Sequence, residues 1–250
     1  MIISIASQKG GTGKTTTSIT LSSALAISGK KVLLIDIDSQ ANSSKVLLER
    51  YQDVTHQKSV CATILEKKPL YIRKTTVEGL DIVPSHILLS STDISLTTAM
   101  DHREARLKNE LNKVKNRYDY IFIDCPPALS WLTLNAFTAS NKLIIVASPG
   151  YFELDSINQI TKTMQQVQEN FNSDFELMGL LFTMSDTTIN SKTSIKLLRQ
   201  AYGDSVFETI IPRNTDLRDA HMDRKNIFSY APKSTGANAY NKLAKEVFSI

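Results

Sequence analysis

Residues 8–16 read Gln8-Lys9-Gly10-Gly11-Thr12-Gly13-Lys14-Thr15-Thr16, placing three of the chain's nine glycines within four positions. Glycines at this density let successive backbone N–H groups curl around an anion. The flanks sharpen the reading. MIISIAS (1–7) is a short apolar strand, and beyond Lys14 the residues Ile19, Leu21, Leu25 and Ala26 recur near a 3.6-residue spacing until Gly29. Strand, glycine turn and helix start in succession make a phosphate loop, with the positive end of the helix aimed at the anion. There Gly10, Gly11, Thr12 and Gly13 supply backbone donors and Lys14 reaches the β- and γ-phosphates. The Thr15 hydroxyl ligates Mg²⁺, and Thr16 in the first helical turn contacts the α-phosphate.

Moving outward, KVLLIDID (31–38) is nearly continuous in apolar residues, as strands buried on both faces of a parallel sheet are. GLDIVPS (79–85), YDYIFID (118–124), KLIIVASP (142–149) and FELMGLLFTM (175–184) repeat the theme, and VFETIIP (206–212) is expected to add a further strand. Helical patterns cover 101–116, 130–139, 153–170 and 236–248, while 42–78 is mixed in charge and weakly periodic. The alternation predicts an α/β fold: a doubly wound, mostly parallel sheet flanked by helices, in one domain spanning 1–250. Ligands of such sheets bind beyond the carboxyl ends of the strands.

Acidic residues stand at those ends. Asp36-Ile37-Asp38-Ser39-Gln40-Ala41-Asn42 closes one strand, and alternation predicts Asp36 and Asp38 on the same side. Ile121-Phe122-Ile123-Asp124 closes another, the Walker B arrangement in which Asp124 reaches Mg²⁺ through water. Carboxylates beside a phosphate loop suit metal handling and water positioning in phosphoryl transfer.

Composition narrows the classes. The chain has 250 residues, 42% hydrophobic and 22% charged, which excludes a disordered or fibrous protein. Two cysteines and four scattered histidines offer neither a disulfide framework nor a zinc-like cluster. No apolar run approaches the roughly 18 residues of a membrane span, and the N-terminus lacks secretory features, so a reducing cytosol is expected. Of the net charge of +4, residues 186–250 supply +3, with ten Lys/Arg and seven Asp/Glu.

The K-G-G-x-G-K-T loop resembles the deviant Walker A box of the ParA/MinD family of ATPases. The likeness extends through D-x-D-x-Q-x-N at Asp36–Asn42 and D-C-P-P at Asp124–Pro127. It continues through Pro212-Arg213-Asn214 and Ser234 to Tyr240, where it looks like ParA partition ATPases specifically. The resemblance implies that Lys9 contacts the nucleotide of a partner subunit, making ATP the glue of a homodimer. It also implies that Asp38 orients the attacking water, that Asp36 lies near the Mg²⁺ shell, and that Pro212 and Asn214 lie against the adenine. Lys9, Lys14 and Asp38 are then the catalytic set. Lys196, Arg199, Arg213, Arg218, Arg224, Lys225 and Lys233 are the candidates for non-specific DNA contact, which should be strongly salt-dependent. A ParB-like partner is expected to stimulate slow hydrolysis in a cytoplasmic, nucleoid-associated protein.

The sequence also departs from the family pattern in places and leaves alternatives to weigh. Thr183–Thr188 replaces a stretch where many relatives carry an arginine. The loop begins at residue 8, which implies the short form without an N-terminal helix-turn-helix. A MinD-like membrane ATPase needs an amphipathic C-terminal helix, whereas Ala239, Leu243 and Val247 read as core. An iron–sulfur relative needs cysteine spacing that Cys61 and Cys125 lack, and Cys125 reads as a buried filler. A metabolic ligase would need a substrate site not visible in the sequence. The cargo, whether plasmid, chromosome or a protein body such as a carboxysome or chemoreceptor cluster, stays open.

Overall fold

The computed structural model describes residues 1–99, 101–150 and 153–248. Its strands are β1 (Ile2–Ala6), β2 (Val32–Asp36), β3 (Arg73–Lys74), β4 (Leu80–Val83), β5 (Tyr120–Asp124), β6 (Lys142–Ala147) and β7 (Glu176–Phe182). They form one sheet in the order β3-β4-β2-β5-β1-β6-β7, parallel throughout except for the antiparallel pair β3–β4. The chain runs outward from β1 to β2, returns to insert β5 between them, and then crosses to β6. The carboxyl ends of β1, β2 and β5 therefore meet at the switch point, where the connections diverge and leave a crevice.

Helices cover both faces. They are α1 (Lys14–Ile27), α2 (Asn42–Leu47), α3 (Val60–Glu66), α4 (Thr92–Thr98), α5 (Arg106–Leu111), α6 (Trp131–Ala139), α7 (Glu153–Asn170), α8 (Ile189–Tyr202), α9 (Thr215–Met222), α10 (Ile227–Tyr230) and α11 (Thr235–Phe248). Strand alternation sorts the core into two layers. Ile35, Ile121 and Ile123 face Val60, Phe137 and Ile160 of α3, α6 and α7. Ile3, Ile5, Leu34 and Phe122 face Ile19, Leu217, Tyr240 and Leu243 of α1, α9 and α11. Burial on both faces is why β1 and β2 are apolar at nearly every position.

Three expectations need correction. Residues 206–212 form no continuous strand of the sheet. They run beside β7 through isolated bridges, Leu180 to Val206 and Ser185 to Pro212, with the Phe207 and Ile211 N–H groups donating to the Leu180 (3.0 Å) and Phe182 (2.9 Å) carbonyls. The Glu246 carboxylate on α11 accepts from the Glu208 N–H at 2.7 Å and the Thr209 N–H at 3.0 Å, taking donors a ladder would use. The helix expected over 101–116 is only α5. His102 sits at a left-handed φ of 46°, the Arg103 guanidinium stacks 3.9 Å from the Trp131 ring centroid, and the chain tightens into a 3-10 turn at Lys115–Arg117. Finally, β2 stops at Asp36, so Asp38 is placed by the following turn, where its N–H donates to Asp36 Oδ1 at 3.2 Å. The core expected at the last helix is present as Tyr240, Leu243, Ala244 and Phe248, with Ala239 and Val247 half-buried against it. Ser249 and Ile250 of that expected end lie outside the described residues.

Candidate functional site: a phosphate loop over a buried carboxylate pair

The loop owes its shape to two glycines. Gly11 (φ +77°) and Gly13 (φ +85°) occupy the left-handed region, which other residues enter at a cost. Gly13 is also the N-cap of α1, where no side chain caps the helix and no acid stands in the first turn. The free N–H groups there point to where an anion would sit. Behind the loop, the Thr183 hydroxyl donates to the Thr12 carbonyl at 2.6 Å, tying it to the end of β7. Thr183 is a site residue the sequence reading missed, because nothing local marks a contact across 171 residues.

Directly beneath, Asp36 and Asp124 are register partners on β2 and β5, and neither has any exposed surface. Asp36 Oδ2 accepts from the Ser44 N–H (2.9 Å) and Ser44 Oγ (2.7 Å). Asp124 accepts from Ser18 Oγ (3.0 Å) and Ser43 Oγ (2.7 Å), and also takes the Thr15 hydroxyl. Burial pushes Asp36 well above the ordinary carboxylate range, and the Asp124 charge adds to it. Burial raises Asp124 too, against the Ser43 hydrogen bond and the Lys14 charge, which pull it back. Ser43 and Ser44 directly follow Asn42 in the acidic motif, but nothing local marks which carboxylate each one reaches.

A cleft of about 900 Å³ opens over this pair. Gly10, Gly11, Gly13, Lys14, Thr15 and Thr16 form one wall; Asp38, Gln40, Asn42, Lys45 and Val46 form a second. Asp38 is buried, and its Oδ1 accepts from the Gln40 N–H at 2.9 Å, which fixes the turn. The third wall, from Ile211 to Met222, includes Pro212, Arg213, Asn214, Leu217, Arg218 and His221. Its position follows from backbone pairing, since Arg213 N–H donates to the Ser185 carbonyl (2.8 Å) just beyond β7. Asn214 caps α9, accepting from the Leu217 N–H at 3.1 Å while its amide donates to Thr235 Oγ1 at 2.9 Å. The cleft thus carries Lys14, Lys45, Arg213 and Arg218 against Asp38, a lining that selects polyanions.

Lys9 is exposed and does not face its own cleft. Its Nζ lies 3.4 Å from where a Cβ on Gly150 would be; burial raises the pKa of Glu153 at the start of α7, and the Ser148 N–H and then the Lys9 charge pull it back. The basic candidates divide. All seven are exposed, but Arg213 and Arg218 line the cleft, whereas Lys196 and Arg199 line a shallow groove on α8 with Lys192. Arg224, Lys225 and Lys233 sit on the turns flanking α10.

A glycine loop at a helix start, a lysine, a threonine hydroxyl and paired aspartates at a sheet switch point define a P-loop nucleotide-binding protein. Two relatives narrow the class. The chain is 42% identical over 249 residues to the sporulation initiation inhibitor protein Soj of Bacillus subtilis (98% of this chain, 97% of that one). It is 40% identical over 245 residues to the chromosome-partitioning ATPase Soj of Treponema pallidum (96% and 94%). The chain belongs to the Soj/ParA family of partition ATPases.

Residues 1–177 match the family described as AAA domain, and residues 107–250 match 4Fe-4S iron sulfur cluster binding proteins of the NifH/frxC family. Among solved structures, a cobyrinic acid a,c-diamide synthase from Mycobacterium smegmatis with bound ATP analog and magnesium superposes with a TM-score of 0.81. It is 30% identical, over 98% of this chain and 92% of that one. The cysteines here do not fit an iron–sulfur cluster. Cys61 and Cys125 have no exposed surface, and burial pushes the Cys61 thiol up to about 11 and Cys125 higher. Neither presents a thiolate at a surface.

Proposed function

We propose that this chain, as one ATPase domain over residues 1–250, is an ATP-gated partition switch. It binds ATP with Mg²⁺, pairs with a second copy, holds double-stranded DNA without sequence preference while paired, and releases it after hydrolysis. The observation that carries the reading is the cleft, with four cations against one carboxylate around a glycine loop, above two buried aspartates. The donor set fits Mg²⁺, which takes hard oxygen ligands from a hydroxyl, water, phosphates and one or two carboxylates. Thr15 would hold the ion directly, with Asp124 and Asp36 holding its waters, and the bound ion shields charge on the phosphate oxygens.

In this reading the loop N–H groups, Lys14 and Thr16 grip the phosphates, and Pro212 and Asn214 wall the nucleoside end. Asp38, buried and turned into the cleft, orients the water that attacks the γ-phosphorus as the bond to the departing ADP oxygen breaks. Lys9 faces outward and is available to a partner's nucleotide. The loop and the acidic motif hold no arginine to stabilise the transferring group, so turnover alone is slow and a ParB-like partner accelerates it. Pairing doubles the exposed set Lys196, Arg199, Arg213, Arg218, Arg224, Lys225 and Lys233, and occupancy of DNA follows nucleotide state because affinity rises steeply with phosphate contacts. The protein then works in the cytoplasm on the nucleoid. No described helix is long and apolar enough to cross a membrane.

The test is binding to arbitrary double-stranded DNA with ATP, ADP or no nucleotide across a salt series, with phosphate release measured in parallel. ATP-dependent, sequence-indifferent binding that falls steeply with salt supports the switch. Absence of DNA binding in every state sinks it.

A further inference from the structure

Of the third wall of the cleft, Asn214 is the side chain best placed by sequence to meet a base, yet its polar atoms are already engaged. Its carbonyl oxygen caps α9 through the Leu217 N–H, and its amide donates to Thr235 Oγ1 and, at 3.2 Å, to Asp216 Oδ2. Arg213 and Arg218 line the same wall with donors only, and Arg218 already pairs with Asp219 at 3.2 Å. Thr215 stands at the exposed first position of the helix.

His221 differs from all of these. It lies one turn beyond Leu217 on the same face of α9, lines the cleft, and has no side-chain hydrogen-bond partner among the described residues. Burial lowers its pKa, so the imidazole is uncharged near neutral pH and offers one donor and one acceptor on a planar ring. Beside it, Met222 leaves 77% of its surface exposed at the cleft rim, apolar area that a planar base would cover. The surrounding wall of Val46, Ile211, Pro212 and Leu217 is apolar, as a nucleoside site is.

We infer that His221 is the specificity-determining residue of the nucleoside end of the cleft, hydrogen-bonding the edge of a purine base whose face rests on Met222. The inference rests on the proposal that the cleft binds ATP. It divides the cleft into a phosphate end, governed by the loop and Lys14, and a base end governed by α9.

The experiment compares the wild-type chain with His221→Ala and His221→Gln, measuring equilibrium binding of ATP, GTP and inorganic tripolyphosphate with Mg²⁺. His221→Ala is expected to weaken ATP roughly three- to tenfold, the loss of one hydrogen bond, and to leave tripolyphosphate unchanged. The preference for ATP over GTP is expected to shift in the same variant. His221→Gln, which keeps a donor and an acceptor, is expected to recover most of the ATP affinity. Unchanged ATP affinity in His221→Ala overturns the inference while leaving the ATP cleft intact. So does an equal loss for ATP and tripolyphosphate, which would mark a general defect. Failure of the wild-type chain to bind ATP at all removes the functional proposal itself, and this inference with it.

Discussion

Asp36 and Asp124 stand opposite one another on adjacent parallel strands, both fully buried, and serine hydroxyls rather than a salt bridge hold them. Two carboxylates in register out of water destabilise each other's charged form. Only the Lys14 charge, among the forces acting on Asp124, brings in a cation. The arrangement is therefore costly when empty and is relieved by a bound cation.

That cost predicts opposite effects of Asp124→Asn on the empty and loaded protein. Removing one charge while keeping a side chain of the same shape should raise the nucleotide-free thermal midpoint, by about 1 to 2 kcal/mol in stability. The same substitution should flatten the Mg²⁺ dependence of ATP binding. Thermal melts of the nucleotide-free variant, and ATP titrations with and without Mg²⁺, check the two halves separately. A lower midpoint for the empty variant would mean that the serine hydrogen bonds outweigh the repulsion.

Lys14 and Asp38 face one cleft but should fail differently. Lys14 is the buried cation of the loop, so Lys14→Ala is expected to weaken ATP roughly 100-fold or more, in keeping with loss of one or two charge-assisted hydrogen bonds. Asp38→Ala should leave ATP binding within a few-fold and abolish phosphate release. Binding isotherms and a phosphate-release assay on both variants separate the roles. Normal turnover by Asp38→Ala would remove that carboxylate from the chemistry.

Gly236 shows how α11 shapes the cleft from outside it. A Cβ there would meet Leu217 Cγ at 2.8 Å and Asn214 Oδ1 at 2.9 Å, so the closing helix approaches the start of α9 only because this position is bare. Gly236→Ala should push Asn214 off its cap and cost about 1 to 3 kcal/mol of stability, with weaker ATP binding as the wall shifts. Gly10→Ala is the control, since nothing lies within 4 Å of a Cβ there and its φ is not left-handed. Denaturant unfolding of both variants tests the contrast, and equal stabilities would refute it.

The parts legible in the sequence are those in which one local pattern has one structural answer. Val32–Asp36 announces itself because both faces are buried, and residues 8–16 and 36–42 because a single loop carries the whole motif. Residues 206–212 carry the same apolar signal, but Glu246, distant in sequence, takes the N–H groups of Glu208 and Thr209 and interrupts the ladder with β7. Helix α8 escapes notice because its apolar face is short, Ile195, Leu198 and Tyr202, and is blurred by the exposed apolar residues Ile189 and Leu197. Within the site, Ser18 and Ser43 are silent for a related reason. Each is an ordinary serine whose role comes from reaching Asp124 across 106 and 81 residues.

His221 gives the cleft a pH signature that can be read without any ligand. Burial lowers its folded-state pKa below the ordinary 6.5, so the folded protein binds this proton less readily than the unfolded chain does. The associated stability is fully present above the unfolded value and is lost as pH falls through the folded one. Arg213, Arg218, Lys14, Lys45 and Asp38 line the same cleft, and burial is the cause of the lowered value. Thermal midpoints of the wild type should therefore fall relative to His221→Gln between about pH 7.5 and about pH 5. The gap should amount to about 1.4 kcal/mol for each unit by which the folded value is lowered. Parallel curves for the two proteins would show that the imidazole is solvated rather than set into the wall, and the sign would reverse if it were held in its charged form.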